Sequence, residues 1–118
     1  EAAVTGGAQA LIQLTDAFLN TERARIVELS AQHRLVACYA TREWCEVGGL
    51  MAYGPSYADI YRRAGDYVDK ILRQETKPGD LPVQQPEVFE FVVNTTTASS
   101  LGVTIPPDMA AQVTDWVS

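Results

Sequence analysis

Ala10-Leu11-Ile12-Gln13-Leu14 and Leu35-Val36-Ala37-Cys38-Tyr39 are two short apolar runs joined by a connection of helical length. Gly6-Gly7 precedes the first run, and Thr15 and Asp16 end it. Apolar runs of this length, bounded by turn residues, read as buried strands. Between them Asn20 and Thr21 offer caps for a helix to about His33, with Glu22 in its first turn. Strand, helix and strand in this order make a βαβ unit. Parallel strands need such a crossover, so a parallel sheet is expected.

The pattern continues outward. Arg42 to Val47 reads as a single helical turn ending at Gly48-Gly49, and Leu50 to Tyr53 as a third strand. Gly54-Pro55-Ser56 forms a turn into a long helix, with Ser56 as its cap. Tyr57, Ile60, Tyr61, Ala64, Val68, Ile71 and Leu72 give that helix one apolar stripe, and it must stop before Lys77-Pro78-Gly79. Asp80 to Pro86 is extended, and Val88 to Val93 is a fourth strand. Asn94-Thr95 caps a short helix closed by Gly102, and Pro106-Pro107-Asp108 opens a last helix to the end. The order β-α-β-(α)-β-α-β-α-α defines the α/β class.

The 118 residues suffice for one domain with a modest core, spanning 1–118. Apolar residues at 47% and charged residues at 20% fit a folded chain rather than a disordered one. The net charge of −6 argues against a nucleic-acid partner, which needs a basic stripe. Arg23, Arg25 and Arg34 have acidic neighbours and read as a solvated helix face. No apolar run reaches the ~18 residues of a membrane span. Glu1-Ala2-Ala3-Val4 has neither a basic start nor an apolar stretch behind it, so if the protein is exported its signal lies upstream.

Catalytic and metal chemistry find little support. The one histidine, His33, falls at a helix end, and no GxSxG elbow exists. Cys45 has Glu43 and Glu46 nearby, which disfavour a thiolate, and Cys38 lies in a strand core. A Cys38–Cys45 bridge is not expected, because strand and helix seldom aim both thiols together. One His and no CxxC pair exclude a zinc site of the usual spacing. No Walker loop or GxGxxG is present for phosphate, and neither Gly pair follows a strand. The reading is therefore a binding module without cofactor, not an enzyme. In open α/β sheets ligands bind outside the carboxyl ends of strands. Those ends are Thr15-Asp16, Tyr39-Ala40-Thr41 and Tyr53-Gly54.

One set of motifs is more specific. Gly48-Gly49-Leu50-Met51-Ala52-Tyr53-Gly54-Pro55-Ser56 leads into Ala58-Asp59-Ile60-Tyr61-Arg62-Arg63-Ala64 and Tyr67-Val68-Asp69-Lys70-Ile71-Leu72. Asp80-Leu81-Pro82-Val83-Gln84-Gln85-Pro86, Phe89-Glu90-Phe91-Val92-Val93-Asn94 and Leu101-Gly102-Val103-Thr104-Ile105-Pro106-Pro107 follow in order. Over nearly its whole length the chain resembles the carboxy-terminal part of the ABC-transporter substrate-binding proteins, the group with tryptophan- and tyrosine-type binders. That resemblance implies a partial periplasmic-binding-protein-like fold, a parallel-sheet sandwich in which ligand is trapped between two lobes. It implies a second-lobe βαβ over 1–49, and a crossover strand with first-lobe elements over 50–118. It also implies a periplasmic or exported protein handing a small organic ligand, an amino acid or related carboxylate, to a membrane permease.

Thr15 and Asp16 match the family's polar pair, where amides of the next helix hold a ligand carboxylate. The family's aromatic binders often carry Asn next, and here Ala17 stands in its place. Tyr39, Arg42 and Glu43 line the next loop, and Tyr53 sits by the hinge strand. Strand edges and apolar stripes left without partners would be met by a compact rearranged sheet or by a homodimer, swapped or unswapped. Two other roles share the fold: a truncated interaction module, and the ligand-sensing domain of a regulator.

Overall fold

The computed structural model describes residues 2–118. The chain divides into two units: the residues up to Gly54 with Glu90–Ser118, and Pro55–Phe89.

The first unit is built on a five-stranded sheet in sequence order. Its strands are β1 (Ala10–Ile12), β2 (Val36–Tyr39), β3 (Met51–Pro55), β4 (Phe89–Asn94) and β5 (Asp115–Val117). β1 and β2 are parallel, with Leu11 opposite Ala37, and β2 and β3 are parallel, with Tyr39 opposite Ala52. β4 and β5 are also parallel, Val93 opposite Trp116. Between β3 and β4 the sense reverses. The Asn94 amide donates to the Leu50 carbonyl and the Ser56 amide to the Val88 carbonyl, so one strand rises in number as the other falls. The expected parallel sheet is therefore mostly parallel, with one antiparallel step.

Period-two alternation turns Leu11, Ala37, Tyr39, Ala52, Val92 and Val117 to one face. There they meet Val27 and Ile26 of α3 (Arg23–Gln32) and Trp44 and Cys45 of α4 (Arg42–Glu46). Tyr39 and Trp44 stack with ring centroids 4.8 Å apart and planes 12° from parallel. Both rings are fully buried, so this pair is the largest apolar contribution to the core. β1 departs from the expected buried strand. It is an edge strand with only Leu11 facing inward, and Ile12 and Leu14 are each 75% exposed.

The helix starts also differ in one place. Asp16, extended at φ −152°, caps α2 (Ala17–Thr21) by accepting from the Leu19 amide at 2.8 Å. Asn20 and Thr21, the expected caps, lie inside that helix, and the Thr21 hydroxyl donates back to the Phe18 carbonyl. The cap at Asn94 forms as expected. Its Oδ1 accepts from the Thr97 amide at 2.9 Å at the start of α6 (Thr95–Leu101), and its Nδ2 donates to the Cys45 carbonyl at 3.0 Å. Gly102 closes α6 at φ 72°, the left-handed conformation of a C′ residue. The expected last helix is cut short. α7 covers only Pro107–Ala110, after which Thr114 bonds to Phe91 and Asp115–Val117 joins the sheet as β5. A four-residue helix α1 (Ala2–Thr5) precedes β1.

The second unit holds the long helix α5 (Tyr57–Leu72), capped by Ser56, whose hydroxyl accepts from the Asp59 amide. The extended segment after it folds back along the helix. The Tyr67 hydroxyl donates to the Pro82 carbonyl, and Arg63 donates to the Gln85 carbonyl and pairs with Glu87 at 2.6 Å. The stripe is only partly covered: Ile60 and Ile71 are half-buried, whereas Tyr61, Val68 and Leu72 are exposed. No helix of the described residues is long and apolar enough to cross a membrane.

Candidate functional site

Because β1, β2 and β3 run parallel and pair in sequence order, their carboxyl ends emerge along one edge of the sheet. Two loops start there, Gln13–Asp16 and Ala40–Thr41, beside the second half of β3 from Tyr53 to Pro55. Main-chain packing among them is close. A Cβ on Gly54 would lie 1.9 Å from the Ala40 carbonyl oxygen, so only glycine lets β3 pass beneath that turn.

The residues singled out in the sequence fall into different places. Thr15 and Asp16 are exposed in the first loop. The Asp16 carboxylate already holds one amide of the first turn of α2, which removes that donor from any carboxylate ligand. Arg42 and Glu43 open α4 beside the second loop, Glu43 exposed and Arg42 half-buried. The Arg42 guanidinium is occupied by Glu46 at 2.9 Å and by Asp115 of β5 at 2.5 Å. The bond from Arg42 holds the Asp115 carboxyl below the usual range. β3 runs on to Pro55, past the expected end at Tyr53; Tyr53 thus lies mid-strand, 58% exposed, and its ring meets Phe91 edge-on at 6.2 Å.

Tyr39 is elsewhere. It is 2% exposed and stacked on Trp44, and burial pushes its phenol pKa up despite a bond to Ser30. The gap that it borders with Ser30 and Val27 measures about 10 Å³, room for a single water and no more. The loop-lining role expected of Tyr39 therefore has no room in this structure; its place is the core.

Sequence reading missed Gln13. It is 93% buried by its 7% exposure, and its amide spans the two loops. Its Oε1 accepts from the Ala40 amide at 3.2 Å and its Nε2 donates to the Leu14 carbonyl. The signal was available: Gln13 stands two residues after Leu11, hence on the core face of the same strand.

Neither cysteine is engaged in a bridge. Burial in the core pushes the Cys45 thiol up to about 12, which keeps it protonated and inert at neutral pH. Among the described residues no group of three or more His, Cys, Asp and Glu side chains could hold a metal. The second unit has its own cleft of about 200 Å³ between α5 (Ile60, Arg63, Ala64, Tyr67) and Gln84–Pro86. Of its polar side chains, Arg63 is bonded to Glu87 and the Gln85 carbonyl, and Tyr67 to the Pro82 carbonyl.

A mostly parallel sheet with loops gathered at the strand ends defines an α/β fold that is periplasmic-binding-protein-like and present here in part. The profile of the ABC transporter substrate binding protein family matches residues 2–117, and the chain belongs to that family. Among solved structures it is similar to a conserved domain protein from Vibrio cholerae, at 27% identity and a TM-score of 0.86, over 97% of this chain and 38% of that one. An ABC domain in complex with L-Trp from Streptococcus pneumonia has the same fold at 22% identity and a TM-score of 0.87, over 98% and 39%. The ligand-free, open structure of a substrate binding protein with adhesive properties from Clostridium difficile aligns at 20% identity and a TM-score of 0.70, over 99% and 38%. The chain thus spans less than two fifths of the length of these relatives. A search of curated proteins gives no match.

Proposed function

We propose that the protein carrying this chain is the solute-binding component of an ABC importer. It is exported or periplasmic and hands a small organic ligand, an amino acid or related carboxylate, to a membrane permease. The ligand is captured between two lobes of the whole protein, one of which contains the β1–β5 sheet.

The observation that carries this reading is the shared edge where β1, β2 and β3 end. It presents exposed Thr15, Asp16, Glu43 and Tyr53, together with Arg42. Polar groups convergent on a strand-end edge, flanked by exposed Leu14 and Phe18, suit a ligand with a charged head and an apolar body. The family match supports the transport role in this reading. The L-Trp in the Streptococcus structure supports the choice of amino acids as first ligands to test.

A thermal-shift screen of the protein against L-amino acids, L-tryptophan included, and small dicarboxylates tests the reading. Ligand at ~100 times its Kd stabilises the native state by about 2.7 kcal/mol, a rise of several degrees. Such a rise with at least one compound is expected. No rise with any compound at millimolar concentration contradicts the ligand class.

A further inference from the structure

We infer that Gln13 is the positioning residue of the strand-end edge: its side chain ends the β1–β2 ladder and sets where the Leu14–Asp16 loop departs. The inference rests on the functional reading above only for what the loop binds. In a parallel ladder the bonds alternate evenly from one strand to its neighbour. The rung from the Gln13 amide to the Cys38 carbonyl is intact at 2.9 Å. In a regular ladder the next rung would run from the Ala40 amide to the Gln13 main-chain carbonyl. Here the Ala40 amide donates to the Gln13 side-chain Oε1 at 3.2 Å. The side chain thus stands in for its own main chain and frees the backbone of β1 to leave the sheet one residue early.

The other end of the same amide holds the loop it has freed, since Nε2 donates to the Leu14 carbonyl. One buried group thereby fixes both flanks of the proposed site, Ala40 before Thr41 and Arg42, and Leu14 before Thr15 and Asp16. An apolar residue of similar size would fill the space and leave the Ala40 amide and Leu14 carbonyl without these partners. A buried polar group whose hydrogen bonds are made rigidifies the geometry around it. The small size of α2, capped by Asp16 through the Leu19 amide, makes it dependent on the loop before it.

The test compares wild type with Gln13→Leu and Gln13→Glu in the whole protein without ligand, by amide hydrogen exchange. Gln13→Glu keeps an acceptor for Ala40 and loses the donor to Leu14. In Gln13→Leu the amides of Leu19 and Asn20 are expected to exchange about tenfold faster along with Ala40, the loss of roughly one hydrogen bond's worth of protection. Gln13→Glu should restore protection at Ala40 but not at Leu19. A change confined to Ala40 in Gln13→Leu, or none, overturns the inference. L-Tryptophan supplies a second readout on the folded variants. If wild type binds it, Gln13→Leu should weaken binding about tenfold whatever its effect on melting temperature, by the same lost anchoring, and unchanged affinity overturns the positioning role. If wild type binds no amino acid, the functional reading fails, and the exchange result still decides Gln13.

Discussion

Trp44→Ala is expected to cost about 3–5 kcal/mol of folding stability, the range for deleting a buried aromatic and leaving its cavity. Trp44 is 1% exposed, and its indole is stacked on the similarly buried Tyr39. It also stands in the cluster that joins α3 and α4 to β2, β3 and β4. The loss therefore falls where helices and sheet meet, and the surrounding main chain has little freedom to collapse into the space. Against a total stability of about 5–15 kcal/mol, much of the fold is at stake. Denaturant unfolding followed by far-UV circular dichroism measures it. Trp44→Phe keeps a stacked ring and should lose clearly less than Trp44→Ala. Equal losses would show that the stacking has no special weight.

Gly54→Ala is the second large effect, and here the fault is overpacking. A single methyl placed 1.9 Å from the Ala40 carbonyl oxygen cannot be accommodated by a rotamer change, because a Cβ has no rotamer and the oxygen is main chain. Either β3 or the Ala40 turn must move. Overpacking typically costs about 1–3 kcal/mol, and a main-chain clash belongs at or above the upper end, about 3 kcal/mol. The same shift would displace Tyr53 and the loop that leads to Arg42, so ligand affinity should fall with stability. Gly65→Ala is the control, since a Cβ there meets nothing within 4 Å, and it should be neutral or stabilising. Melting temperatures of the two variants against wild type decide the matter. A Gly54→Ala protein as stable as wild type would contradict the close approach of Gly54 to Ala40.

Much of this architecture could be read in advance where one signal dominates. The long helix was marked by its stripe and by Ser56, and α6 by Asn94 and Gly102, so both were found with nearly correct ends. β5 was hidden because three residues, Asp115-Trp116-Val117, are too short for a period to show, and Pro107 had already suggested a helix. α2 was missed because Asp16 was taken as the end of a strand, whereas one residue can both end a strand and cap the helix after it. Reading the site faced the same problem at finer scale. The strand-end rule picks out an edge, with Thr15, Asp16, Arg42 and Glu43 in or beside its loops and Tyr53 within β3. It could not say which side chains at that edge turn inward. Period two, counted from Leu11 and Ala37, sends Gln13 and Tyr39 to the core side, and the structure has both buried.

The central claim is that this edge holds the ligand. The most direct measurement is amide shift mapping of the ¹⁵N-labelled protein, titrated with a compound that raises its melting temperature. The account predicts that the largest shifts fall at Leu14–Phe18, Ala40–Glu43 and Tyr53. Shifts confined to α5 and Gln84–Pro86, with the strand-end loops unmoved, would contradict it.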